Sequence, residues 1–95
     1  MKNESIIVSD MDHCYVCGSP YVEIHHVMHG TANRKLADEY KLILPLCATH
    51  HRTGRSCPHL NRETDLNYQK MGQAAFEEHY GTRDDFRRIF GKSVL

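Results

Sequence analysis

Ninety-five residues make one domain, and at that size a folded chain buries about 65% of its extended surface, a modest core that a structural metal would reinforce. No apolar run approaches the roughly 20 residues of a membrane span, and MKNESIIVSD lacks the apolar core of a secretory leader. A soluble, globular, cytoplasmic chain without a membrane partner is therefore expected, its four Cys reduced and free for metal rather than paired in disulfides.

In chain order, residues 1–12 read as a loosely attached arm or a short edge strand around Ile6-Ile7-Val8. HCYVCGS (13–19) has the form of a zinc knuckle: two thiolates three apart, with Gly18 letting the chain turn after the second. YVEIHHVM (21–28) favours a strand, and the period of two puts His25 and His26 on opposite faces, where they do different jobs. HGTANRKLADE (29–39) is expected as a loop with one helical turn, carrying Asn33, Arg34 and Lys35 outward. YKLILPL (40–46) predicts a second strand, with Pro45 at its end or on an edge.

Residues 46–61, LCATHHRTGRSCPHLN, are the densest part of the chain, with two Cys, three His and two Arg in sixteen positions. A short helix over 47–53, stopped by Gly54, sets Cys47 on the side of His50 and His51; those two differ by about 100° in azimuth, so they can serve different sites. The loop 55–61 returns His59 toward the cluster. Beyond it, 66–80 predicts a helix with Leu66, Met71, Ala74, Ala75 and Phe76 as its apolar stripe. Thr82 caps a last helix whose Phe86, Ile89 and Phe90 face the core.

The organisation is one domain, 1–95: the arm 1–12, a core 13–61 and C-terminal helices 62–95. Cys14, Cys17, Cys47 and His50 form C-x2-C…C-x2-H, four ligands for a tetrahedral structural Zn2+, with Cys57 the alternative to His50. His25, His26, His51 and His59 remain. An imidazole suits proton transfer from water near neutral pH, and its neighbours suit a divalent cation on a scissile phosphate. Residues 31–62 carry six Lys/Arg against two acids, whereas residues 1–30 carry one Lys against four acids. That basic centre favours a nucleic-acid backbone as partner, through Arg34, Lys35, Arg52 and Arg55; a solvated charged loop is the plainer reading.

CYVCG, EIHHV, ANRK and YKLILPLCATHH together resemble the HNH endonucleases of the ββα-metal (treble-clef) fold, in a compact phage or prophage form. The resemblance spans residues 14 to about 61, and the 74–95 tail is similar to the C-terminal helices of small phage proteins of this type. It implies an α+β, zinc-stabilised treble-clef core with two C-terminal helices, and a nuclease or nickase that hydrolyses DNA phosphodiesters, RNA being the alternative substrate. It implies His26 as general base and His25, His51 and His59 as ligands of a catalytic Mg2+, Mn2+, Ni2+ or Zn2+. A phage or host protein is a further partner it suggests. One position departs: the family's middle Asn, which orients the base, is Leu42 here, so Asn33 or a backbone carbonyl is expected to substitute. The competing readings are a non-catalytic zinc module that binds nucleic acid and a zinc-stabilised protein-interaction domain.

Overall fold

The computed structural model describes residues 4–95, so the first three residues of the expected arm lie outside it. Six elements follow in order: β1 (Glu23–His26), α1 (Thr31–Glu39), β2 (Ile43–Leu46), a π-helical turn (Thr49–Thr53), α2 (Arg62–His79) and α3 (Arg83–Phe90). The result is a small α+β domain with a two-stranded sheet and helices. Among the described residues no helix is long and apolar enough to cross a membrane.

β1 and β2 pair antiparallel, with His25 opposite Leu44 and His26 opposite Ile43, and the Val27 N–H to Leu42 O bond extends the ladder. Every residue of β2 is buried, whereas β1 buries only His25. The hairpin thus uses β2 as its anchor and β1 as its working edge. Pro45 lies inside β2 rather than at its end, without cost to the ladder. Its carbonyl points to the outer edge, where it accepts from Tyr15 N–H at 2.8 Å, so the N–H that Pro lacks would have pointed away from β1 too.

Residues 29–39 are not a loop with one helical turn. Thr31–Glu39 is a full nine-residue helix, and Ala37 and Leu36 pack it on the core. Neither end carries the usual sequence signal: the N-cap is Gly30 at φ 96°, with no side-chain cap and no acid in the first turn. The C-terminal end is a Schellman closure, Lys41 N–H to Asp38 O (3.2 Å) and Leu42 N–H to Ala37 O (2.8 Å). That closure holds Lys41 at φ 61°, a left-handed conformation that disfavours a side chain by about 1–2 kcal/mol. Lys41→Gly is therefore expected to raise stability by about 1 kcal/mol. A denaturation midpoint at or below that of the parent protein would contradict this.

α2 begins four residues earlier than the apolar pattern indicates, because Asn61 caps it by accepting from Thr64 N–H at 3.0 Å. Its buried face is Tyr68, Gly72, Gln73, Ala75 and Phe76, while Ala74 is exposed. Thr82 and Asp85 form a reciprocal capping box for α3. Phe86 and Phe90 stack at 4.6 Å and, with Phe76 and Tyr40, knit α1, α2 and α3 together. The segment 5–8 is not a strand, but it is tied down: Ser5 Oγ donates to Ile43 O at 2.7 Å, Ile6 N–H donates to Lys41 O, and Ile6, Ile7 and Val8 cover the core.

Candidate metal centres

The Cys14–Cys17 turn folds back at once, with Cys14 N–H on Ser19 O (2.8 Å) and Gly18 N–H on Cys14 O (2.9 Å). It meets the start of the π-helical turn, where Cys17 Sγ lies 3.8 Å from Cys47 Sγ. His50 Nδ1 lies 3.2 Å from Cys47 Sγ and 3.8 Å from Cys14 Sγ. A tetrahedral zinc with legs of about 2.3 Å to sulfur and 2.0 Å to nitrogen separates its ligands by about 3.8 Å (S–S) and 3.6 Å (S–N). The observed separations fit, and all four ligand atoms lie within 4.8 Å of one another. This Cys3His group could hold a metal ion, and its soft donors suit zinc.

Burial works to raise the Cys14 thiol, but the backbone N–H groups of Cys47, Cys17 and Val16 aimed at its sulfur prevail and bring it to about 6. For Cys17 the Ser19 amide works downward, yet desolvation and the neighbouring Cys14 and Cys47 sulfurs push it up. One thiolate is thus welcome and a second is resisted, the condition that a cation in the cluster relieves. Cys57, the alternative fourth ligand, is buried and belongs to neither cluster.

His51, the next residue along, leaves in another direction. The turn that carries it closes with an i→i−5 bond, Gly54 N–H to Thr49 O at 2.8 Å, instead of the α-helix expected over 47–53. A Cβ on Gly54 would stand 2.6 Å from that oxygen, so the wide turn depends on glycine. Such turns re-aim adjacent side chains. Here His50 faces the thiolates, whereas His51 faces His25 and His59, with ring centroids at 5.2 and 4.8 Å. His51 Nε2 and His59 Nε2 are 3.2 Å apart, within the roughly 3.0–3.4 Å between two nitrogens on one cation.

His25 is only 2% exposed, and its Nε2 is buried with no hydrogen-bond partner. A buried polar atom left unpaired costs about 1–3 kcal/mol, which a bound cation would remove. Burial, then the nearby His51 and His59, lowers His25 to about 3, so its ring stays neutral and its lone pair remains available. The three imidazoles form a second group able to hold a metal.

Two acids complete the picture, and neither was expected. Glu23 Oε1 accepts from His51 Nδ1 at 2.8 Å while Arg52 clamps the same carboxylate at 2.8 Å. Arg52 first and His51 second hold Glu23 at about 2, so it stays ionised and fixes the His51 proton on Nδ1, leaving Nε2 for the cluster. The signal was present, since Glu23 and His25 are two apart on one strand and share a face. The other acid is Asp38 on α1, whose Oδ1 lies 2.7 Å from His26 Nε2.

His26 borders an open groove of about 690 Å³ together with His25, His51, His59, Arg34 and Arg52. Lys35 and Arg55 are exposed but stand outside its walls. Asn33 does not orient His26. Its Nδ2 donates to Phe90 O at 3.5 Å and joins α1 to α3. Leu42 has no exposed surface and belongs to the core, where an amide reaching for His26 would be buried among apolar groups. Comparison of the chain with protein-family models, with curated proteins and with solved structures finds no match.

Proposed function

We propose that the chain is a metal-dependent HNH-type endonuclease or nickase acting on DNA, built on a treble-clef ββα-metal core that a Cys3His zinc holds together. One observation carries this reading: β1 presents His25 to a three-imidazole cluster and, one residue on, an acid-supported His26 to the adjoining groove. A zinc module without chemistry has no use for that second arrangement.

In the proposed reaction Asp38 accepts from His26 Nε2–H, which leaves the Nδ1 lone pair to take a proton from water as that water attacks phosphorus. The new bond is P–O to water and the bond broken is P–O3′. O3′ takes a proton from solvent while His26 returns its own to solvent, and the products are a 5′-phosphate and a 3′-hydroxyl. A divalent cation on His25, His51 and His59 would supply neutralisation of the charge that develops on the phosphate and leaving oxygens. Glu23 orients His51 for that task, and Arg34 and Arg52 on the groove wall offer positive charge to the strand.

Incubation with supercoiled plasmid and Mg2+, Mn2+ or Ni2+ tests the reading, which requires relaxed or linear product with at least one metal. DNA binding without cleavage under every metal would favour the non-catalytic zinc module. Asp38→Ala is expected to lower kcat about tenfold, by loosening His26 rather than removing it. Asp38→Asn keeps an acceptor at the same place and should recover most of the rate; equal losses in the two variants would count against an orienting role.

A further inference from the structure

The groove beside His26 does not stop at the imidazoles. His29 borders it and also lines two further hollows, of about 460 and 330 Å³, that lead toward the C-terminal helices. His59 and His25 are shared by the first two, and Arg62 and Asp65 by the last two, so the three hollows share walls and form a row, the channel, from the imidazoles to the C-terminal helices. At its far end Arg62, from the first turn of α2, and Lys92, beyond α3, line the same 330 Å³ hollow. Among the described residues no carboxylate is paired with either cation.

The acid in that wall is already committed. Asp65 accepts from His29 through both oxygens, at 3.0 and 2.9 Å, and from Gln69 at 2.9 Å. The hollow therefore presents two cations outside any ion pair, against the single charge of Asp65, and they come from segments 30 residues apart in sequence. A wall with an excess of positive charge at the end of a channel that starts at the three imidazoles suits an anion belonging to the same ligand.

We propose that this hollow is a second phosphate site, in which Arg62 and Lys92 hold a backbone phosphate of the DNA strand away from the one being cleaved. The proposal rests on the nuclease reading for its choice of ligand. It extends the footprint from the central basic segment to the C-terminal helices, which then act as part of the substrate surface and not only as packing.

The test uses the metal-loaded full chain carrying His26→Ala, so that bound DNA survives, and follows a labelled duplex oligonucleotide by fluorescence anisotropy across a salt series. Adding Arg62→Gln and Lys92→Gln should weaken binding about tenfold at 0.1 M salt and flatten the slope of log K against log salt by about 1. A control pair, Lys70→Gln and Arg87→Gln, removes the same charge outside the channel and should leave the slope unchanged. Unchanged affinity in the channel pair, an equal loss in the control pair, or no DNA binding at all would overturn the site. Cleavage by the protein with His26 intact is read separately. A chain that cleaves but ignores Arg62 and Lys92 refutes the second site alone; one whose DNA affinity depends on them but which never cleaves refutes the nuclease reading and leaves the phosphate site standing. An RNA duplex that binds more tightly than DNA, with the same dependence, overturns the choice of DNA.

Discussion

His26→Ala is expected to reduce plasmid cleavage by about 10²- to 10⁴-fold, the usual worth of a positioned general base. The size of the loss follows from what surrounds the ring. His26 has a carboxylate on Nε2 and a groove beside it, whereas His25, His51 and His59 are gathered into the imidazole cluster. Substrate binding should change little, because Arg34 and Arg52 are untouched, so the effect belongs in kcat rather than KM. The fold should survive as well: His26 is only partly buried, and its partner Asp38 is mostly exposed. A variant that cleaves as fast as the parent would remove His26 from the reaction, and one that fails to fold would show that the His26–Asp38 contact is structural.

Cys14→Ser should have the larger structural consequence. Cys14 is buried against the core and its sulfur faces His50, so the substitution removes one of the four candidate ligand atoms. Structural zinc contributes about 10–16 kcal/mol of apparent binding energy in small zinc-dependent domains, which matches or exceeds the roughly 5–15 kcal/mol stability of a typical domain. About one tightly held zinc per chain is expected in the parent protein and close to none in Cys14→Ser, with cooperative thermal unfolding lost at the same time. His26→Ala, by contrast, should keep its zinc. His25→Ala provides the internal comparison, since it removes a ligand from the imidazole cluster alone. Full zinc content and an unchanged melting curve in Cys14→Ser would show that the Cys3His group is not a structural site.

Neighbouring residues part company on the turn as they do on β1. His50 and His51 are adjacent, yet one faces sulfur and the other faces imidazole. A regular α-helix would separate them by about 100°. In the observed turn, the i→i−5 closure at Gly54 sets their directions, and Glu23 then locks His51 in place. Local backbone geometry and one charged neighbour together keep the two candidate centres distinct.

Much of this was legible from residue order. The spacing of Cys14, Cys17, Cys47 and His50 named a four-ligand group, because metal ligands are few, chemically distinctive and arranged by local turns. The different surroundings of His25 and His26 followed from strand alternation. Thr82 and the phenylalanines of α3 announced a capped, core-facing helix in the ordinary way. The α1 helix was hidden for an equally physical reason. Its ends are made by the backbone of Gly30 and by a left-handed Lys41, not by capping side chains, and its stability comes from Leu36 and Ala37 packing on a core assembled from distant segments.

That missed helix also concealed the partner of His26. Asn33 was the nearer candidate by residue type, but the helix turns it toward Phe90 and brings Asp38, five residues later, to the imidazole. Leu42 gives up the polar position to the core. Composition and spacing thus determined the chemistry available to this chain, a four-ligand sulfur set and four further histidines, because that depends on which side chains are present. The grouping of His25, His51 and His59 apart from His26 came from the family resemblance. Which acid supports which histidine was decided only by the packing of α1 and β2 around β1, since those contacts join residues 12 and 28 positions apart and depend on helix rotation, which no local pattern encodes.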